Sequence, residues 1–79
     1  MRRLFDLWRG KAGQILSGKI LYFDHPDGGF NAVVRTRGKF FLLPSDAAEA
    51  FIGGRPPDGS DVQIEKTAAG YQLRLLVSA

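Results

Sequence analysis

The chain has 79 residues, 44% of them hydrophobic, and a formal net charge of +3. This length allows one small domain with no second core, and the ordinary apolar content argues against global disorder. The absence of cysteine excludes disulfides, cysteine-ligated zinc and thiol catalysis, and it favours the cytoplasmic setting that we expect.

Targeting and membrane-spanning segments are not expected either. No apolar run approaches the roughly 20 residues needed to span a bilayer. The N-terminus is interrupted by Asp6 and Gly10, so it lacks the continuous apolar stretch of a secretion signal. We therefore expect neither a membrane-spanning segment nor a secretion signal.

The positive charge is concentrated at the N-terminus. Residues 1–19 hold five basic residues and one acid, whereas residues 20–79 hold six basic residues and seven acids. A second, local basic cluster is formed by Arg35, Arg37 and Lys39. Any attraction for a polyanion is expected to come from these two places.

The first predicted unit, residues 1–17, is a basic amphipathic helix. Within residues 3–16, Leu4, Trp8, Ala12 and Ile15 recur at spacings of four, four and three, which is the period of a helix with one apolar face. Each glycine in a helix interior costs about 1 kcal/mol relative to alanine, so the glycines of this segment are expected to end or bend the helix.

An apolar stripe in this segment needs a partner surface, and three interpretations remain open. Leu4, Phe5 and Trp8 pack on the rest of the domain, dock in the groove of a partner or of a second copy, or lie on an anionic membrane. The membrane interpretation is the least favoured, because the segment is short and interrupted by glycines.

The second predicted unit, residues 18–79, reads as short strands. Residues typical of strands fill "KILYF", "FNAVVRT" and "FFLL", which "HPDGG" and "RGK" separate as turns. "PSDAAEAFIGG" begins with a capping pattern and ends in two glycines, which favours a short helix. "DVQIEKT" and "YQLRLLV" follow as the last two strands.

This order predicts a mainly β fold. Five short strands with a short helix between strands 3 and 4 match the five-stranded OB-like Greek-key barrel, here preceded by the N-terminal helix. An SH3-like barrel is the runner-up, and the helix after strand 3 favours the OB-like fold. The residues expected in its core are Phe23, Val33, Phe40, Leu42, Ile64, Leu73 and Leu75.

The stretch Gly18–Val77 resembles a cold-shock domain, a small OB-type module. "GKILYFD" is similar to the first strand of that family, "GGFNAVV" keeps the opening Gly29 and Phe30 of the second, and "KFFLLP" keeps an aromatic residue on the third. The resemblance implies a non-enzymatic module that binds single-stranded RNA or DNA, weakly or within a nucleoprotein complex.

The resemblance also implies a set of binding residues. Tyr22 and Phe30 would stack on bases with help from Phe41, and Arg35, Arg37 and Lys39 would contact phosphates. Two plainer interpretations remain. Sequence does not determine strand register, so in the first interpretation the rings face the core. In the second, the charges only keep a hairpin tip soluble.

An alternative function is a protein-interaction or inhibitor module that keeps the barrel but has lost base readout. The family's second ring on strand 2 falls on Ala32, and its histidine on strand 3 falls near Leu43. Aliphatic residues at these positions would form a patch suited to a protein or nucleoprotein partner.

No feature indicates an enzyme, a cofactor, a metal or a small-molecule substrate. His25 is the single histidine, it precedes a proline in a turn, and no cysteine is present to pair with it. The acid pairs Asp24/Asp27 and Asp58/Asp61 lie in predicted turns, where aspartate commonly bonds to the local backbone. No metal-loop or phosphate-loop spacing is present.

Overall fold

Strands rich in β-branched and aromatic residues dominate the computed structural model, which describes residues 5–51 and 53–76 without the side chains at positions 48 and 49. In this described part the strands are β1 (Asp6–Leu7), β2 (Ile15–Asp24), β3 (Phe30–Thr36), β4 (Lys39–Leu42), β5 (Asp61–Thr67) and β6 (Gly70–Leu75). A 3-10 helix, Ser45–Phe51, connects β4 to β5.

All six strands belong to one sheet in the order β1-β4-β3-β2-β5-β6. The β1–β4 pair is parallel and the other pairs are antiparallel. The prediction of a mainly β fold is confirmed. The prediction of a closed five-stranded barrel is wrong, because the sheet has a sixth strand and no strand pairing within the described residues joins β6 back to the β4 side.

The predicted N-terminal helix is absent from the described residues. Asp6–Leu7 is a strand on the free edge of β4, and β2 begins at Ile15, inside the unit predicted as helical. The backbone bonds run to other strands: the Trp8 N–H donates to the Leu42 carbonyl at 2.8 Å, and the Gly13 N–H donates to the Lys66 carbonyl at 2.8 Å. Bonds to the sheet therefore take the place of the bonds that a continuous helix would make, and the bond from the Gln14 N–H to the Lys11 carbonyl at 2.8 Å closes only a single turn.

The helix predicted between strands 3 and 4 of the barrel is also not α-helical. Ser45–Phe51 forms a 3-10 helix, whose first turn has the Ala47 N–H donating to the Pro44 carbonyl at 2.9 Å. Seven residues are too few for a stable isolated α-helix. Burial of Ala47 and Phe51 in the core therefore sets the geometry of this segment.

β2 lies between β3 and β5 in the sheet and pairs with each through a different part of its length. Ile15–Lys19 pairs with β5, and Lys19–Asp24 pairs with β3. Where the two paired parts meet, a Cβ on Gly18 would lie 2.2 Å from the Arg35 carbonyl oxygen and 2.9 Å from Val34 Cγ1. Only a residue without a side chain permits this approach of β3 to β2.

The inner face of the sheet holds the core. Its members are aliphatic and aromatic side chains from β2, β3, β5, the 3-10 helix and the connection between β4 and that helix: Leu16, Ile20, Ala32, Val34, Leu43, Ala47, Phe51, Val62 and Ile64. Burying a single Val, Leu, Ile or Phe side chain contributes roughly 1.5–3 kcal/mol. This cluster is therefore the main source of the stability of the domain.

A second group of apolar residues lies on the opposite face, which we call the outer apolar face. Leu21, Val33 and Leu42 are cross-strand partners there, and the Phe5 ring lies 5.5 Å from Phe23 and 5.8 Å from Phe40. The full set is Phe5, Leu7, Leu21, Phe23, Val33, Phe40 and Leu42.

The two faces account for the mixed outcome of the core prediction. Val33 and Ile64 are fully buried as predicted, but Phe23 is 46% exposed and Leu75 is 54% exposed. Phe23 lies on the outer apolar face, where the Phe5 ring covers it only in part. Leu75 lies near the end of β6, which pairs on one side only within the described residues.

Candidate functional site

The β3–β4 hairpin brings two of the predicted phosphate contacts together. It turns through Arg37 and Gly38, which have φ angles of 51° and 77°. Two consecutive positive φ values are typical of the tight type I′ hairpin turn. Arginine is a strained choice for such a position, which asparagine, aspartate or glycine usually fills.

A groove of about 460 Å³ opens beside this hairpin. β2 pairs with β3 only from Lys19 onward, and the groove lies between the unpaired first residues of β2 and the hairpin. The side chains that line it are Ile15, Leu16, Ser17, Thr36, Arg37, Lys39 and Phe41. None of these residues is acidic, so the two cations give the groove a positive character.

Phe41 is the aromatic residue of this groove. It is half-buried, packs against the core cluster and also lines the groove. Its cross-strand partner is Val34 on the inner face. An aromatic side chain beside two cations is the combination that proteins use to hold a base and its phosphates.

Arg35 is separated from the groove. Its cross-strand partners are Lys19 and Phe40, so it lies on the same side of the sheet as the outer apolar face and not on the side of Lys39. The three predicted phosphate contacts are thus divided, with Arg37 and Lys39 at the groove and Arg35 at the margin of the outer apolar face.

Tyr22 and Phe30 lie side by side, but on the inner side of the sheet. Their ring centroids are 5.6 Å apart and nearly perpendicular, and Phe51 contacts both rings at 6.0 and 5.8 Å. Both residues are half-buried. The Arg55 guanidinium covers them, with its carbon 4.6 Å from the Tyr22 centroid and 4.5 Å from the Phe30 centroid. Bases therefore do not have free access to this pair.

The Tyr22 hydroxyl is buried and has no hydrogen-bond partner among the described residues. Burial raises the pKa of this phenol to about 12; the nearby Arg55 charge opposes that shift and the Asp58 charge adds to it. The phenol is therefore neutral at physiological pH.

The structure describes two of the three N-terminal residues predicted to bind a partner. Leu4 lies outside the described residues. Phe5 contacts Phe23 and Phe40, and Trp8 packs against the core with its ring 6.3 Å from that of Tyr71. Phe5 and Trp8 therefore pack on the chain's own sheet, which was the first of the three interpretations.

Sequence reasoning missed Arg55 and the exposure of Phe23. Arg55 comes from a loop between two glycines and two prolines, which carries no motif, and it reaches Asp24, 31 residues earlier. The exposure of Phe23 follows from strand register, because its neighbour Tyr22 occupies the inner face instead.

The described residues contain no group of three or more histidine, cysteine, aspartate or glutamate side chains arranged to hold a metal ion. His25 is exposed, and its backbone N–H donates to the Gly29 carbonyl at 2.7 Å within the β2–β3 turn. In the part of the chain that the structure describes, no helix has the length and apolar composition required to cross a bilayer.

Comparison with known proteins gave no match. The chain matches no protein family model, none of the curated proteins and none of the solved structures with which it was compared.

Proposed function

We propose that this chain is a non-enzymatic module of the cytoplasm that binds single-stranded nucleic acid, weakly or as part of a nucleoprotein complex. The observation that carries the proposal is the groove, where Phe41, Arg37 and Lys39 converge with no acidic residue in the lining. These are three of the six residues that the sequence alone indicated.

Each groove residue has a distinct part in the proposed binding. Stacking of a base on Phe41 would contribute roughly 1–3 kcal/mol. Arg37 and Lys39 would neutralise backbone phosphates, which makes the affinity fall with increasing salt. The strand order β4-β3-β2-β5-β6 and the connection between β4 and β5 support the resemblance to an OB-type module, although β1 adds a strand that the resemblance does not include.

The test is a titration of a fluorescently labelled 12-nucleotide single strand at several salt concentrations. We expect Lys39→Gln to weaken binding several-fold and to reduce the slope of log K against log salt by about 0.7. Phe41→Leu keeps an apolar side chain for the core but removes the stacking ring, and it should weaken binding by about 1 kcal/mol or more. Wild-type protein that does not bind at low salt would refute the proposal.

Matched controls separate the groove from general effects of charge and surface. Arg74→Gln removes an exposed cation on β6, outside the groove, and Phe23→Ser removes an exposed ring from the outer apolar face. Both variants should bind like wild type to within twofold. Equal weakening by Lys39→Gln and Arg74→Gln would indicate non-specific electrostatics instead.

Arg37 gives a variant in which binding and stability should move in opposite directions. Asparagine tolerates the positive φ of this turn better than arginine, so Arg37→Asn should raise the free energy of unfolding by up to about 1 kcal/mol. The same change removes a groove cation and should weaken binding several-fold. Weakened binding together with lost stability would mean that the effect is structural.

A second candidate function, a protein-interaction module, is favoured by the outer apolar face. The patch expected at Ala32 and Leu43 does not support it, because both residues are buried in the core. On the outer apolar face, Phe23 is 46% exposed and Leu7 is 45% exposed, and neighbouring exposed apolar residues often mark a protein interface. This function predicts a protein partner that survives nuclease treatment and is lost with Phe23→Ser. Association that nuclease abolishes would exclude it.

A further inference from the structure

The Arg55 guanidinium presents its two terminal nitrogens to a single carboxylate oxygen. Nη1 and Nη2 each lie 3.2 Å from Oδ1 of Asp24. Charge-assisted bonds of this kind are usually 2.7–2.9 Å, and the strongest carboxylate pairs engage both oxygens. Asp24 therefore engages the two donor nitrogens of Arg55 with one oxygen only, at distances longer than those of a strong pair.

The orientation of Arg55 is nevertheless well defined. Its guanidinium lies over the Tyr22 and Phe30 rings at 4.6 and 4.5 Å, and cation–π attraction holds a guanidinium in such a position. A donor group that is already oriented loses less conformational freedom when it binds an oxyanion.

Asp24 is an exchangeable partner. Its side chain is 71% exposed and that of Arg55 is 38% exposed, and ion pairs in such surroundings contribute little to stability. Replacing the carboxylate by another oxyanion would therefore cost the folded state little.

The space beside Arg55 is open to a ligand. A depression of about 300 Å³ is lined by Tyr22, Arg55, Pro56, Pro57 and Asp58. Asp58 is the second acid near this site, and its Oδ1 accepts a bond from the Tyr22 backbone N–H at 3.2 Å. That bond holds the Asp58 carboxylate at the backbone of β2, whereas Asp24 occupies the donor fork.

We propose that Arg55 is a second phosphate-binding residue of this domain, and that Asp24 is an internal occupant which a nucleic-acid phosphate displaces. The inference rests on the proposed function for the identity of the ligand. Phe30, under Arg55, and Thr36, at the groove, are six positions apart along β3. At about 3.3 Å per residue this places the two sites roughly 20 Å apart.

The first arm of the test uses inorganic phosphate and does not depend on the groove. The Nε–Hε resonance of Arg55 is followed by NMR as phosphate replaces chloride at constant ionic strength. We expect a saturable shift in wild type and saturation at several-fold lower phosphate in Asp24→Asn. Asp27→Asn, with the same change of charge in the adjacent turn, should respond like wild type.

The second arm uses the labelled 12-nucleotide strand. Asp24→Asn should tighten binding several-fold, and Arg55→Gln and Arg55→Lys should both weaken it, because lysine retains the charge but not the fork. In the double variant Asp24→Asn/Arg55→Gln the gain from Asp24→Asn should disappear. Equal tightening by Asp27→Asn, or a gain that persists without Arg55, would overturn the proposal.

The two arms distinguish this inference from the proposed function. A phosphate response at Arg55 without any binding of the strand would leave Arg55 as a site for free phosphate and refute the nucleic-acid function. Strand binding that is indifferent to Arg55 would refute only the second site. An acetate titration that shifts Arg55 as effectively as phosphate would overturn the assignment to phosphate and indicate a protein carboxylate as the ligand.

Discussion

At the scale of single residues, Tyr22 has two properties that act against each other. Its ring contacts Phe30 and Phe51 in the core, while its hydroxyl is buried without a partner among the described residues. The ring contributes to packing, and the buried hydroxyl carries a desolvation cost. The packing of the ring contributes more to stability than burial of the hydroxyl costs, which is why tyrosine is tolerated here.

This balance predicts the behaviour of Tyr22→Phe. At pH 7 the variant loses no hydrogen bond to the described residues, so its free energy of unfolding should lie within about 1 kcal/mol of wild type. At alkaline pH the two should diverge. The pKa of Tyr22 is about 12 in the folded chain and about 10 when unfolded, so the unfolded phenol releases its proton first.

The sign of the effect follows from that order. The contribution of the neutral phenol is fully present below pH 10 and is lost as the pH rises from about 10 to 12. Wild type should therefore lose more stability than Tyr22→Phe across this window in urea unfolding monitored by circular dichroism. The other groups that titrate there are common to both proteins, so parallel pH profiles would contradict the prediction.

At the scale of elements, β2 organises the sheet because it pairs with β5 through its first half and with β3 through its second. Where the two halves meet, Gly18 permits the approach of β3, because a Cβ there would overlap the Arg35 carbonyl. Ahead of Gly18, residues 15–17 are not paired with β3, and they line the groove together with residues of the β3–β4 hairpin. Gly18 therefore lies between the paired part of β2 and β3 and the candidate binding site.

Gly18→Ala is expected to destabilise the protein by about 1–3 kcal/mol, the usual cost of inserting an atom into a packed region. The new Cβ would lie 2.2 Å from the Arg35 carbonyl oxygen, a backbone atom that cannot move without separating β2 from β3. Urea unfolding measures the loss. Gly53→Ala is the matched control, because no heavy atom lies within 4 Å of its would-be Cβ, and equal stabilities of the two variants would contradict the prediction.

At the scale of the whole molecule, residues 6–14 cross from the edge of β4 to β5. The crossing is bonded at both ends, by the Trp8 N–H to the Leu42 carbonyl and by the Gly13 N–H to the Lys66 carbonyl. The Trp8 ring packs against the core beside Tyr71. The N-terminal segment thus connects the edge of β4 to β5 and adds an aromatic side chain to the core.

Trp8→Ala should therefore lower the free energy of unfolding by roughly 2–3 kcal/mol. This is less than the 3–5 kcal/mol typical of a fully buried tryptophan, because Trp8 is only half-buried. Lys11→Ala, an exposed change in the same segment, should alter stability by less than about 0.5 kcal/mol. Urea unfolding compares the two, and a loss for Trp8→Ala no larger than that of the control would mean that the crossing does not support the core.

Local sequence was sufficient to predict the positions of the strands and turns from β2 onward. Gly38 in the "RGK" turn and the alternation of "DVQIEKT" are signals carried by a few neighbouring residues, and the structure has a hairpin and a strand at these places. The groove residues Arg37, Lys39 and Phe41 were predicted together because one short hairpin carries all three.

Which side of each strand faces the core was decided only by the tertiary structure. On β2 the alternate sets Ile20/Tyr22 and Leu21/Phe23 are both apolar, so a period of two defines two faces without telling which is buried. Two misplaced predictions, the solvent-facing Tyr22 and the buried Phe23, follow from this ambiguity.

The N-terminal segment and Arg55 depend on contacts distant in sequence. The spacing of Leu4, Trp8 and Ala12 is typical of a helix, but the free edge of β4 and the backbone of Lys66 offer hydrogen bonds that outweigh a weak helical preference lowered further by glycines. Arg55 meets Asp24 across 31 residues. The strands and turns are determined by neighbouring residues. Contacts between residues this far apart form only when the whole sheet assembles, because their interaction free energy is gained only when both partners are in place.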